Sequence, residues 1–209
     1  MIVKRHMIKK SELELARIND RIGSVLDKIV KNDFLSIPVV DEEGKDLLGV
    51  VYKSDVYEGF FNSGLSKEEY LRQAVKAILT PKTVEIQTDS ILEDASYLLS
   101  SVKQSFIPVY EGEKFVGILT PSAISKSYSK LLGIGKGIRL SLLVTNMSGR
   151  LAILSKSVAD LGGNIISLSV EQVKVLSTAR IILRVENCDI DKLLTSISKN
   201  GFKLERLDE

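Results

Sequence analysis

A single histidine, His6, and a single cysteine, Cys188, leave this chain little material for the commoner kinds of active site. No His/Cys metal cluster can be assembled from them within one chain. Cys188 can form no internal disulfide, which points to a reducing, cytoplasmic setting. A nucleophilic Cys188 would need a partner base, and His6 beside Arg5, Lys9 and Lys10 reads as a solvated residue. No run approaches the ~18 apolar residues of a membrane span, and the basic start lacks the apolar segment of a signal peptide. An excess of one charge is missing too. The 29 basic and 27 acidic side chains give a formal net charge of +2, whereas phosphate-backbone recognition needs a basic stripe. These absences predict a protein with no catalytic centre, no metal, no nucleic-acid partner and no membrane anchor.

What is present is duplication. In 209 residues, enough for two compact units, the run Leu35, Ser36, Ile37, Pro38, Val39, Val40 returns as Ser105, Phe106, Ile107, Pro108, Val109, Tyr110. Each run is followed by an acidic turn with a glycine (Asp41, Glu42, Glu43, Gly44; Glu111, Gly112, Glu113) and then a second apolar run. Those runs are Leu47 to Tyr52 around Gly49, and Phe115 to Thr120 around Gly117. This is the pattern of a β-hairpin, made twice. Ahead of each hairpin, Ile22, Val25, Leu26, Ile29 and Val30, then Ile91, Leu92, Ala95, Leu98 and Leu99, recur at helical spacing. Asp20, and Asp89 or Ser90, are the expected N-caps. Short strands are expected at residues 13–18 and 83–86, and further helices near Ser54 and Ser122. The two copies are expected to pack sheet to sheet about a pseudo-twofold axis. Between them, Ser66 with Glu69 three residues on predicts a capped helix running through Val75 to Ile78. Tyr57, Phe60 and Phe61 read as core or dimer packing.

The proline strand, acidic turn and glycine strand, twice in register, resemble the cystathionine β-synthase (CBS) domain pair, or Bateman module, over about residues 1–130. The resemblance implies an adenine nucleotide between the proline strand and its neighbour, with Ile37, Pro38, Ile107, Pro108 and Thr83 about the base. It also implies that a Gly-x-x-Thr-x-x-Asp segment holds ribose and phosphate. Here that segment is split. The first copy keeps Asp55 but has Tyr52 where the hydroxyl is usual; the second keeps Thr120 but has Ala123 in place of the carboxylate. The site at Tyr52, Lys53, Ser54 and Asp55 is therefore the better candidate for AMP, ADP, ATP or S-adenosylmethionine, and the Thr120 site is expected to be empty, weak or differently selective. Seen alone, Asp55 also fits a first-turn helix cap. Asp41, Glu42 and Glu43 read as a solvated turn, against nucleotide hydrolysis.

After a glycine-rich linker, residues 133–137, the period changes. Strands at 138–144, 164–170, 178–185 and 202–207 alternate with helices carrying Leu151, Leu154, Val158 and Leu161, then Leu193, Leu194 and Ile197. The order βαββαβ predicts a ferredoxin-like sandwich. With Gly149, Arg150 and Leu151 opening the first helix and Gly163, Asn164 and Ile165 opening the second strand, it resembles the ACT domain. Asn146 stands where that family often has aspartate. The resemblance implies an amino-acid effector near Asn146, Met147, Gly149, Arg150, Leu151, Asn164 and Ile165, at a homodimer interface. The chain thus divides into CBS copies at 1–62 and 63–132, the linker, and an ACT-like region at 138–209. The arrangement is similar to that of acetoin-utilisation-type CBS–ACT proteins. The expected class is α/β (α+β), and the expected role is regulatory ligand sensing. The alternative is a structural or interaction dimer whose ligand sites have decayed.

Overall fold

The computed structural model describes residues 1–173 and 177–208. It forms two compact units, residues 1–125 and 126–209. The first contains β1 (Ile8–Lys9), β2 (Ala16–Arg17), α1 (Ile22–Lys31), β3 (Ser36–Val40), β4 (Leu47–Tyr52), α2 (Lys53–Ser63) and α3 (Lys67–Arg72). It continues with β5 (Thr80–Pro81), β6 (Ile86–Gln87), α4 (Leu92–Ser101), β7 (Ile107–Glu111), β8 (Lys114–Leu119) and the start of α5 (Pro121–Leu131).

Two four-stranded sheets result, ordered β2-β3-β4-β5 and β6-β7-β8-β1. In each, a short parallel strand joins the proline strand, which pairs antiparallel with the glycine strand. Alternation along β3 explains its continuous apolarity. Ile37 and Val39 pack with Ile22, Val25 and Ile29 of α1 under the helices. Val40 on the opposite face joins Leu47, Val50, Phe106, Tyr110, Phe115 and Ile118 in a core formed by both sheets. The sheet-to-sheet packing is as expected.

The fourth strand of each sheet was not legible in the sequence. β5 closes the first sheet, and β1, from the chain's first residues, closes the second. The same bonds recur around both. The amide of Ile22 bonds the carbonyl of Gln73 and that of Val75 bonds Asp20; likewise Leu92 bonds Met1 and Val3 bonds Ser90. Residues 1–9 are thus the structural counterpart of 73–81. Here the repeat glycines find their reason. A Cβ at Gly49 would lie 2.3 Å from the carbonyl oxygen of Thr80, and one at Gly117 would lie 2.2 Å from that of Ile8. Each glycine lets the closing strand cross.

Some local expectations need correction. The helices α1 and α4 have Arg21 and Ile91 at their N-caps, with no side-chain cap bond. Asp20 instead turns back to accept the amide of Arg17 at 3.0 Å. The Ser66–Glu69 capping box forms, but α3 stops at Arg72 because Gln73 is extended, and Val75–Ile78 is a separate 3-10 turn. Phe60 packs partly buried against the first core, whereas Phe61 is 82% exposed.

The second unit has β9 (Ile138–Thr145), α6 (Arg150–Ala159), β10 (Asn164–Val173), β11 (Thr178–Glu186), α7 (Ile190–Ser198) and β12 (Lys203–Asp208). Its antiparallel sheet is ordered β10-β11-β9-β12, the βαββαβ arrangement expected. Leu140, Leu142, Ile181 and Leu183 pack beneath Leu154, Val158, Leu193 and Ile197 of the helices. Asp189 caps α7, accepting the Lys192 amide at 3.1 Å. The segment 133–137 is packed rather than loose: the Lys136 carbonyl accepts from Arg184 at 3.1 Å, and Gly137 lies against the carbonyl of Val185. On the sheet face away from the helices, Arg180 grips both oxygens of Glu205 at 2.8 and 2.9 Å, and Ser141 donates at 2.7 Å.

Two outcomes follow from these contacts. Alanine at Gly49 or Gly117 must displace a backbone carbonyl, and each substitution is expected to cost about 1–3 kcal/mol in urea unfolding. The Arg180 guanidinium, with the Ser141 hydroxyl, holds the Glu205 carboxyl down at about 2. A carboxyl depressed in the folded state stabilises above its unfolded range of about 4.3, and that contribution is lost as pH falls towards 2. Melting curves from pH 5 down to about 2 are expected to fall more steeply for the native chain than for Glu205→Gln.

Candidate functional site

The duplication creates two clefts at the junction of the sheets, built from equivalent positions and unequal in result. The first is open, with a volume of about 570 Å³. Its floor is Pro38 and Ile118; Leu13, Phe34 and Phe106 form apolar walls, and Thr120, Pro121 and Ser122 stand at the start of α5. Pro38 has no N–H that a ligand must satisfy. Ser36 and Ser105, one from each copy, share a hydrogen bond at its lining. Thr120 Oγ1 accepts the backbone N–H of Ala123 at 3.1 Å and so caps α5.

The second cleft, at Pro108, Val50 and Phe106, is filled, with only about 10 Å³ left. Tyr52 occupies the place that Thr120 holds in the open cleft, Gln104 takes the place of Phe34, and Lys82 enters from just beyond β5. Lys82 is fixed there: its ammonium donates to Glu85 at 2.7 Å and to the Tyr110 hydroxyl at 2.9 Å, and lies 4.4 Å from the Tyr110 ring centroid. Glu85 first, then Tyr110, hold the Lys82 pKa above its ordinary value.

A family model for the CBS domain matches residues 6–61 and 75–130, more than half of the chain. The chain belongs to the CBS-domain family. It is similar to the uncharacterized protein YlbB of Bacillus subtilis, 26% identical over 117 residues that cover 56% of this chain and 76% of that protein. It is also similar to CBSX1, a chloroplastic CBS domain-containing protein of Arabidopsis thaliana, 25% identical over 142 residues. That match covers 56% of this chain and 60% of CBSX1, less than two thirds of the relative. Among solved structures, CBSX2 in complex with AMP has a TM-score of 0.53 at 26% identity, covering 61% of this chain and 95% of that one. CbpB in complex with c-di-AMP has a TM-score of 0.56 at 20% identity, covering 64% and 87%, a likeness of fold.

Within this CBS pair the residues singled out from sequence fall into three groups. Pro38 and Thr120 meet in the open cleft, joined by residues that sequence reasoning did not name: Leu13, Phe34, Ile118 and Ser122. Tyr52 and Pro108 line the filled one. Ile37 and Ile107 line neither: both are fully buried in the core, on the strand face opposite their neighbouring prolines. Thr83 is exposed between β5 and β6, and Lys53, Ser54 and Asp55 open α2 beside the filled cleft without lining it. Asp55, expected as the better candidate for ribose, stands beside the half that Tyr52 and Lys82 fill, whereas the open cleft lies at Pro38 and Thr120. The Asp55 carboxylate is already engaged, accepting the Tyr52 amide at 3.2 Å and the Thr80 hydroxyl at 3.1 Å.

In the second unit a cavity of about 410 Å³ is lined by Asn146, Met147, Ser148, Gly149, Arg150 and Leu151 with Val170, Ala179 and Ile181. Gly149 has φ +83°, with open space where a Cβ would stand. Arg150 is tied to the Asn200 carbonyl at 2.6 Å. Asn164 and Ile165 lie elsewhere, at the far end of β10, where Asn164 donates to Glu186 at 2.8 Å and Ile165 packs on the core.

The bonds at Asp55 predict that Asp55→Ala lowers stability by about 1 kcal/mol with no ligand present, through loss of the α2 cap and the tie to β5. Urea unfolding of the ligand-free variant checks this.

Proposed function

We propose that this CBS pair is a regulatory ligand sensor that binds an adenosine derivative, an adenine nucleotide or S-adenosylmethionine, in the open cleft between Pro38 and Thr120. The observation that carries the reading is the cleft itself: about 570 Å³, apolar on floor and walls, with hydroxyls at one end. That size and lining suit a nucleoside, whose base needs apolar contact and whose sugar needs a few polar partners. The AMP complex of CBSX2 and the c-di-AMP complex of CbpB support an adenine ligand in a fold of this kind. The proposed action is binding without turnover. A ligand that prefers one packing of the two sheets shifts the population towards it.

The cavity beside Gly149 supports a second input, an amino acid or similar metabolite whose carboxylate meets the free amides at the start of α6. In this reading the second unit acts as an ACT-like effector module within a homodimer. The filled cleft at Tyr52 favours the alternative of partial decay, in which one of the two CBS sites has become packing.

A thermal-shift screen with AMP, ADP, ATP, adenosine and S-adenosylmethionine tests the reading. At a hundredfold excess over Kd, binding is expected to add about 2.7 kcal/mol and raise the melting temperature by several degrees. Thr120→Tyr, which gives the open cleft the residue that fills the other, is expected to remove the shift. Its own ligand-free melting point separates occlusion from the lost cap. No shift with any of the five compounds defeats the reading.

A further inference from the structure

Charge distinguishes the two clefts as sharply as volume does. The lining of the open one includes three carboxylates, Glu12, Glu14 and Asp33, and, among the described residues, no cationic side chain. In the other copy Lys103, seventy residues on, stands where the open cleft has Asp33, and Lys82, just beyond β5, lines the filled cleft. A cation at Lys53 has its open-cleft counterpart in Pro121. Between the two linings the contrast is three carboxylates against one ammonium, although just outside them Asp55 of the filled copy is matched by Ala123 in the open one.

The helix start at the open cleft does not offset this. A helix N-terminus attracts anions through unpaired amides. In α5 the first residue, Pro121, has no N–H, and the Ala123 amide is already bonded to Thr120 Oγ1. What remains nearby, the amide and hydroxyl of Ser122, suits a neutral polar group rather than a phosphate dianion.

We propose that the open cleft selects among adenosine compounds by charge, taking those without phosphate and preferring those with net positive charge. This rests on the cleft being an adenine site and adds to it the class of substituent that the 5′ position carries. The three acids lie at the solvent edge, where an effective dielectric between protein and water applies. Three such charges at roughly 8 Å from a phosphate are together sufficient for about tenfold or more in affinity. The effect is weakened by salt, since roughly 8 Å is also the Debye length at about 0.15 M.

The test is isothermal titration of the full chain, without magnesium, using adenosine, AMP, ATP and S-adenosylmethionine. The native protein is expected to bind AMP and ATP at least about tenfold more weakly than adenosine, and S-adenosylmethionine, net cationic at neutral pH, more tightly than adenosine. In E12Q/E14Q/D33N the AMP deficit relative to adenosine is expected to shrink by about tenfold, and about 0.5 M salt should narrow it in the native protein. Glu14→Gln alone, a milder change at an exposed position, is expected to move AMP in the same direction. AMP or ATP binding the native chain as tightly as adenosine, or an AMP deficit that survives removal of the three charges, overturns the charge inference and leaves the adenine reading intact. Failure of all four compounds to bind overturns both.

Discussion

Two small sheets with apolar inner faces cannot stand apart in water, and their mutual burial is the constraint on which the first unit depends. Neither has a long edge: β2, β5, β6 and β1 are two residues each, too few bonds to hold a strand by itself. The joint core of Val40, Val50, Phe106, Tyr110, Phe115 and Ile118 makes the sheets stable as a pair. The closing strands then follow from the chain path, β5 returning to the first sheet and β1 to the second. The repeat glycines are products of the same constraint. Where a strand passes at the distance set by Gly49 and Thr80, no side chain can intervene.

Duplication of a unit gives two equivalent clefts, but equivalence of backbone does not require equivalence of lining. In one half Tyr52, Lys82 and Gln104 turn the crevice into packing, with Lys82 held over Tyr110 by its hydrogen bonds to Glu85 and the phenol. The filled half thereby supports Phe106, a wall shared by both clefts. A packed wall on one side and an open crevice on the other are the outcome of unequal side chains on equivalent backbones.

The sequence made the larger organisation legible because duplication and period survive translation into structure. The hairpins at Pro38 and Pro108, the capping box at Ser66 and the βαββαβ order all rest on local pattern. What was missed depends on tertiary partners. Strands of two residues carry no period, so β1 and β5 were invisible, although Val3-Lys4 and Val75-Lys76 are a faint echo of their equivalence. Asp20 and the extended Gln73 answer to local turns that propensity alone does not rank. The exchange of emphasis between Asp55 and Thr120 has a plainer cause. A motif names the residues a site would use; that Tyr52, three residues before Asp55, packs with Lys82 into the cleft depends on tertiary contacts.

The first residues of the chain place the open cleft in a position to be felt elsewhere in its unit. Ile8 lines the cleft and, in β1, pairs with Ile118 on its floor. A few residues upstream, the same segment bonds through Met1, Val3 and Lys4 to Leu92, Ser90 and Thr88, at the entrance to α4. A ligand pressing on Ile8 therefore acts on the strand that closes the second sheet and on the start of the helix behind it. Ser36 and Ser105 give a second route, joining the ends of the two proline hairpins across the same cleft. Short edge strands with few bonds are the parts of a fold that open at least cost. A ligand that tightened one of them would change the stability of the second sheet without moving its core.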